Sequence, residues 1–174
     1  MDVKRIIEGL PNKSADERDR IRANADRMLS MGTEEQIDAA QTVISALRDL
    51  EEAEHRQLVD RLNGMEVSAR VVEAFTIHPM TETEAKLIQA LLDAPGSSST
   101  ELSQALGWGG QAWHMHFGTM CFNRATYLWP APKAEARNAD FYSGILADWT
   151  PEGQWSMKPD VAAAFAQLGL RAGM

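Results

Sequence analysis

The feature that most constrains this chain is the order of helix-start and helix-stop signals after residue 80. A capping signature at Thr81 opens an amphipathic segment that stops at Pro95. A second segment begins in the serine run at residues 97–99 and stops at Gly107. After a glycine-rich break, residues 111–124 form a third, aromatic and histidine-bearing segment. This order predicts three short helices separated by tight turns.

A hairpin pattern and a last helix follow these segments. Residues 141–149 and 154–157 are strand-like, and they bracket a Thr-Pro-Glu-Gly turn whose length suits a β-hairpin. Pro159 then stands at the first turn of a final helix, where its missing N–H is harmless. We therefore expect residues 81–174 to form a winged helix-turn-helix domain with the short β-hairpin as its wing.

The N-terminal residues 1–64 carry two adjacent capping signatures, at Ser14 and at Thr33. The second opens a periodic apolar pattern that continues to Asn63, which is long for a globular helix. These residues predict an antiparallel helical hairpin. Its narrow apolar stripes need to pack on the C-terminal domain or on a second copy, so this is a possible dimerisation region. The expected fold class is mainly α.

Residues 65–80 connect the two parts. Their apolar spacing suits a helix, although their β-branched content also suits an extended linker. We favour a short helix that ends before Pro79, because the residue before a proline is pushed out of the helical region.

Composition restricts the class of protein. The chain has 174 residues, a net charge of −8, a single cysteine and no apolar run long enough for a membrane span. Its first residues lack the pattern of a secretory leader, so we expect a cytoplasmic protein without a membrane partner. A surface of this charge repels polyphosphate on average, so a contact with DNA needs a local basic or hydrogen-bonding face.

The third segment, residues 111–124, is the predicted recognition helix. Polar groups near the start of such a helix reach base edges in a major groove: Gln111 can pair with adenine, and His114 can donate to guanine or to a phosphate. The same two side chains could also simply be solvated. The predicted phosphate contacts are Ser98, Ser99, Arg124, Lys133 and Arg137.

All five tryptophans lie between residues 108 and 155. Such clustering indicates a core that is rich in aromatic residues. The alternative is that some of these rings are exposed and stack on a base or on a side chain of a partner. The third helix adds to such an exposed surface, because it cannot bury all of its bulky groups.

No pattern in the chain indicates an enzyme, a cofactor or a metal site. His114 and His116 lie two residues apart on a predicted helix and therefore point roughly 200° from one another. Cys121 has no second cysteine with which to form a CxxC pair. The chain also lacks a glycine-rich phosphate loop.

Two stretches of the predicted C-terminal domain share a pattern. Residues 101–118 combine a Gly-Trp turn with a Phe-Gly pair, and residues 155–170 combine Trp-x-Met-x-Pro with a helix that ends in Leu-Gly. This pattern resembles a small helix-turn-helix module of bacterial proteins, some of which carry it beside an HNH nuclease domain. The resemblance implies DNA recognition but no cleavage, because the nuclease half of that arrangement is missing from this sequence.

These observations favour a sequence-specific DNA-binding protein. In this hypothesis the chain is a transcriptional regulator, residues 111–124 enter the major groove of double-stranded DNA, and the N-terminal hairpin pairs two subunits as a homodimer. The alternative is an acidic winged-helix module that binds another protein, as an inhibitor or adaptor of a nucleic-acid machine, and does not bind DNA. Salt dependence distinguishes the two, because binding through phosphates weakens steeply as salt rises.

Overall fold

A computed structural model describes residues 2–134 and 138–173 of the chain. Within these residues the fold is mainly helical with a small antiparallel sheet, which confirms the predicted mainly α class. The helices are α1 (Val3–Gly9), α2 (Ala15–Met31), α3 (Glu34–Asn63), α4 (Val67–Ile77), α5 (Glu82–Asp93), α6 (Ser99–Ala105), α7 (Ala112–Phe122) and α8 (Pro159–Gln167). The strands are β1 (Ser97–Ser98), β2 (Ala147–Trp149) and β3 (Gln154–Met157), and two 3-10 turns span Leu10–Asn12 and Tyr142–Ile145.

The chain divides into two compact units. The N-terminal unit ends at Leu58, and the C-terminal unit begins at Val59, so α3 contributes residues to both. None of the helices within the described residues combines the length and the apolar character that crossing a membrane requires.

In the N-terminal unit, an apolar cluster and two ion pairs join α2 to α3. Its buried side chains are Leu10, Ala25, Ala40, Val43 and Leu47. Arg18 on α2 donates to both carboxylate oxygens of Glu54 on α3, at 2.7 and 2.9 Å, and Arg22 donates to Glu51 at 2.6 Å. Both predicted capping signatures form, because the hydroxyl of each cap residue accepts the backbone N–H three positions later.

Helix α4 confirms the prediction of a short helix before Pro79, since it ends at Ile77. It packs within the C-terminal unit rather than standing apart as a linker. The ring of Phe75 on α4 meets the ring of Phe165 on α8 edge to face, with centroids 5.0 Å apart.

Trp113 lies at the centre of the C-terminal unit and is fully buried. Its indole N–H donates to the carbonyl oxygen of Leu87 on α5 at 3.1 Å, so burial leaves no unpaired donor. Its backbone N–H donates to the hydroxyl of Ser103 on α6 at 3.0 Å. One residue of α7 therefore joins the three helices α5, α6 and α7.

The sheet has the strand order β1-β3-β2, and both pairs are antiparallel. Trp155 at the centre of β3 lies opposite Ser97 on one side and Trp149 on the other. The turn at residues 150–153 joins β2 to β3 as expected from the sequence.

One strand prediction is wrong. Residues 142–145, predicted as part of a strand, form a 3-10 turn. A Cβ at Gly144 would lie 2.5 Å from Cδ1 of Phe141 and 2.7 Å from Cγ of Pro132. The chain can therefore curl closely around these two side chains only because residue 144 has none.

Candidate functional site

Helix α7 has one buried and one exposed side. Trp113, Phe117, Met120 and Cys121 are buried. His116, which precedes Phe117, is exposed.

Two large apolar side chains of α7 face solvent. Met115 is 74% exposed and Phe122 is 57% exposed. They are seven residues apart, so they lie on the same side of the helix, together with the exposed Gln111 and Thr119. The ring of Phe122 touches the ring of Tyr142 edge to face at 4.9 Å, which holds it in place at the surface.

The neighbours of α7 determine which side is exposed. Ser103 holds the start of the helix through the backbone N–H of Trp113. Further along, Gly118 permits close packing on the 3-10 turn, because a Cβ there would lie 3.2 Å from the hydroxyl of Ser143. With α5, α6 and the 3-10 turn on its inner sides, α7 can present only its outer side to a partner.

His114 packs toward strand β3 and Phe141 instead of pointing outward. Its ring is half-buried, 4.8 Å from the ring of Trp155 and 6.4 Å from the ring of Phe141. Burial lowers the pKa of His114, which favours a neutral imidazole. In this position His114 packs with Trp155 and Phe141, and its ring is less accessible for hydrogen bonds to base edges.

The β2–β3 hairpin carries a third exposed apolar side chain. Trp149 on β2 is 53% exposed, and its ring lies 6.3 Å from that of Trp155. Trp155 in turn touches His114, the residue before Met115. We use the name apolar face for the outer side of α7 formed by Met115 and Phe122.

The predicted phosphate contacts do not come together as a set. Ser98 caps α6: its hydroxyl accepts the backbone N–H of Glu101 at 3.3 Å and donates to the Glu101 carboxylate at 2.8 Å. Ser99 is buried, and its hydroxyl accepts the indole N–H of Trp155 at 2.9 Å. Lys133 is exposed and paired with Asp140 at 2.6 Å. Arg137 lies outside the described residues.

Arg124 is the clearest departure from the sequence-based prediction. Its side chain is fully buried and donates to the carboxylate of Glu84 and to three backbone carbonyl oxygens. The prediction that Arg124 and Ser99 contact phosphate does not fit this structure, because both side chains are buried and hydrogen-bonded inside the unit.

The surface of the C-terminal unit carries unpaired acids but few unpaired cations. Within residues 59–134 and 138–173, each Lys or Arg side chain except that of Arg171 has a carboxylate or carbonyl partner. Five carboxylates in the same ranges have no ion pair or hydrogen bond: Asp60, Glu66, Asp148, Glu152 and Asp160. Helix α7 itself contains no Lys or Arg.

Sequence reasoning did not single out Met115 and Phe122. The available signal was the composition of α7, where apolar residues occur on every side of the helix. Such a helix is either wholly buried or leaves apolar groups in solvent.

No group of three or more His, Cys, Asp or Glu side chains in the described part of the chain is placed to hold a metal ion. Comparison of the chain with protein-family models, with curated proteins and with solved structures finds no match.

Proposed function

We propose that the C-terminal unit is a winged helix-turn-helix domain that recognises another protein through the outer side of α7 and the wing. The order helix, strand, helix, helix, strand, strand from α5 to β3 supports the winged-helix assignment, as does the sheet order β1-β3-β2. In this architecture α7 occupies the position of the recognition helix and the β2–β3 hairpin that of the wing.

The apolar face is the observation that carries this proposal. Met115 and Phe122 form this face on α7, and the wing carries a further exposed apolar ring, Trp149. Exposed apolar side chains that gather on one surface mark interaction sites, and Met and aromatic residues are enriched in protein interfaces. A surface that reads DNA would present cations or hydrogen-bonding groups at these positions.

Charge supports a protein partner over DNA. Affinity for DNA comes largely from Lys and Arg side chains that neutralise phosphates and release counterions. In the described C-terminal unit these side chains are already engaged, Arg171 excepted. The wing also carries unpaired carboxylates, Asp148 and Glu152, whose charge opposes the approach of a DNA backbone.

A crosslinking experiment tests the proposal. A photo-reactive amino acid is placed at Met115 and, as a matched control, at Met31, which is 84% exposed on α2 of the N-terminal unit. Irradiation in the cells that make this protein should give a polypeptide adduct from position 115 and not from position 31. A nuclease-sensitive adduct at position 115, or equal adducts from both positions, would contradict a protein-recognition role for α7.

DNA recognition is the second candidate, and one observation favours it. Gln111 is exposed at the start of α7, and its side chain makes no capping hydrogen bond. It is therefore free to contact a base edge, as in a regulator that dimerises through residues 1–64 and binds symmetric half-sites. Random-site selection with the purified protein tests this candidate. A selected duplex should lose affinity for the Gln111→Ala variant and keep it for Gln104→Ala, an exposed glutamine on α6.

A further inference from the structure

We infer that Asn63 is a site of spontaneous deamidation, and that the isoaspartate formed there loosens the connection between α3 and α4. Asn63 is the last residue of α3, and Gly64 follows it in the turn that leads to α4. Of the asparagines in the chain, Asn63 alone precedes a glycine; the others precede Lys, Ala or Arg. The site lies in the turn and not on α7, so it is independent of the proposed function.

Deamidation at an Asn-Gly pair needs water but no enzyme. The backbone nitrogen of Gly64 attacks the side-chain carbonyl carbon of Asn63, the new C–N bond closes a succinimide ring, and the bond from that carbon to Nδ2 breaks. The side-chain nitrogen leaves as ammonia with the proton that the Gly64 nitrogen loses. Water then adds its hydroxyl group to either carbonyl carbon of the ring and returns a proton to the ring nitrogen. The ring opens to isoaspartate or to aspartate at position 63.

Gly64 leaves the attacking nitrogen accessible. A side chain on the residue after asparagine crowds the approach of this nitrogen, and glycine has none. A Cβ at Gly64 would meet only the backbone oxygen of Arg61 within 4 Å, at an ordinary contact distance of 3.7 Å, and Gly64 does not need a positive φ. The fold therefore accepts alanine at this position, so Gly64→Ala slows the reaction without disturbing the turn.

The turn also holds the two reacting groups loosely. The amide N–H of Gly64 donates to the carbonyl oxygen of Arg61 at 3.3 Å, in place of the bond to Asp60 that would continue the α-helix. The Asn63 side chain is exposed and makes no hydrogen bond within the described residues. Asn24, by contrast, lies inside α2, where the following amide donates within the helix. Both reacting groups of the Asn63–Gly64 pair can therefore move into position.

Isoaspartate changes the main chain as well as the charge. The main chain then runs through the side-chain carbons of residue 63, which adds a carbon atom between α3 and α4. Two hydrogen bonds of the turn span this point, from Gly64 to Arg61 at 3.3 Å and from Met65 to Leu62 at 3.1 Å. The new carboxylate also places a negative charge at the C-terminal end of α3, where the helix dipole disfavours it. Both changes oppose the turn that keeps Leu62 fully buried.

Peptide mapping by mass spectrometry tests the inference on the full chain at neutral pH. Position 63 should convert with time to a mixture of isoaspartate and aspartate, while Asn24 and Asn123 keep their amides. Gly64→Ala should slow this conversion several-fold or more and should unfold at the same urea concentration as the native protein. Aspartate without isoaspartate, or an equal rate in Gly64→Ala, would overturn the inference, because the Gly64 nitrogen would then not be the nucleophile.

The unfolded chain separates the effect of the sequence from that of the fold. In concentrated urea, position 63 should also react before the other asparagines, because the Asn-Gly pair is still present. The folded protein should react at a rate within several-fold of the unfolded chain, since the turn leaves the side chain exposed and the amide weakly bonded. Conversion in urea with none in the folded protein would overturn the inference, because the fold would then protect Asn63.

The effect on the turn is measured against a charge-matched variant. Chromatography isolates the isoaspartate form, and Asn63→Asp carries the same added charge on an unchanged main chain. The isoaspartate form should unfold at a lower urea concentration than Asn63→Asp, because only the isoaspartate form lengthens the chain between α3 and α4. Equal midpoints would overturn the conclusion that isoaspartate loosens this connection.

Discussion

Arg124 and Glu84 form a two-pronged ion pair, in which Nη1 lies 3.0 Å from one carboxylate oxygen and Nη2 lies 3.0 Å from the other. The remaining donors of the guanidinium reach the carbonyl oxygens of His78, Pro79 and Met120 at 2.9 to 3.1 Å. Its carbon atom lies 4.3 Å from the centre of the Phe75 ring. One side chain thus joins the end of α7 to the start of α5 and to the end of α4.

We expect Arg124→Ala to lower the free energy of unfolding by about 3–5 kcal/mol, because it leaves a partly buried carboxylate and three carbonyl groups without their donor. Urea denaturation followed by circular dichroism measures this change. Lys86→Ala is the control, since it breaks an exposed ion pair with Glu82 on the same helix as Glu84 and should cost less than about 1 kcal/mol. Equal losses in the two variants would contradict the structural role assigned to Arg124.

Glu84 makes the stability of the C-terminal unit depend on pH. Burial alone would raise the pKa of Glu84, but hydrogen bonds from Arg124 and from the backbone of Thr81 outweigh it and lower the pKa below the ordinary value of 4.5. A carboxyl group whose pKa is lower in the folded state stabilises that state above pH 4.5. This stabilisation is lost as the pH falls through the lowered pKa.

The Glu84→Gln variant should therefore be less stable than the native protein near neutral pH and should lose less stability on acidification. Urea titrations between about pH 6 and about pH 3 measure how steeply the free energy of unfolding falls with pH in each protein. Glu66→Gln provides the comparison, because Glu66 is an exposed residue of the same unit whose carboxylate makes no ion pair or hydrogen bond within the described residues. If Glu84→Gln kept the full acid sensitivity of the native protein, the ion pair would not be its source.

Local spacing made the helix starts predictable from the sequence. In each capping pair a hydroxyl residue and a Glu or Gln stand three positions apart, as at Thr81 and Glu84. Both partners of the cap therefore lie within four consecutive residues, and the sequence alone identifies them. The third helix has no capping pair and is predicted from its place after the glycine-rich break, with bounds of 111–124 against the observed Ala112–Phe122.

Contacts between distant residues could not be predicted in the same way. The sequence indicates a surface cation at Arg124, because the partner Glu84 lies 40 positions away and no local pattern connects the two. In the same way, the sequence favours a phosphate contact for Ser99, because the Trp155 indole whose N–H it accepts lies 56 positions away. The strand β1 was missed, since two serines carry no alternating pattern and pair only because β3 lies beside them.

The hydrogen bond between Ser99 and Trp155 gives a third prediction. Ser99→Ala should cost about 1–3 kcal/mol of unfolding free energy, because it leaves the buried indole N–H of Trp155 without an acceptor. Ser97→Ala is the control, because the hydroxyl of Ser97 has no hydrogen-bond partner in the described residues. In a Trp155→Phe background the cost of Ser99→Ala should shrink, and an unchanged cost would exclude this hydrogen bond as its cause.

The apolar face should contribute little to folding. Met115→Ser and Phe122→Ser should each change the free energy of unfolding by less than about 0.5–1 kcal/mol, because both side chains are more than half exposed in the folded state. Thermal and urea unfolding measure this. A loss as large as that of Phe117→Ala, about 3–5 kcal/mol for a buried aromatic residue on the same helix, would show that these side chains belong to the core.

Gly144 gives the last prediction, which concerns the 3-10 turn that supports α7. Gly144→Ala should lower the free energy of unfolding by about 1–3 kcal/mol, because its Cβ would overlap the ring of Phe141 and the side chain of Pro132. Gly109→Ala is the matched control, since a Cβ at that position meets no atom within 4 Å and the residue does not need a positive φ. Because Phe141 also contacts His114, the strain should reach α7, and the amide resonances of residues 114–122 should shift in Gly144→Ala alone. If both variants were equally stable with unchanged spectra, the turn would not pack against α7 as closely as these distances require.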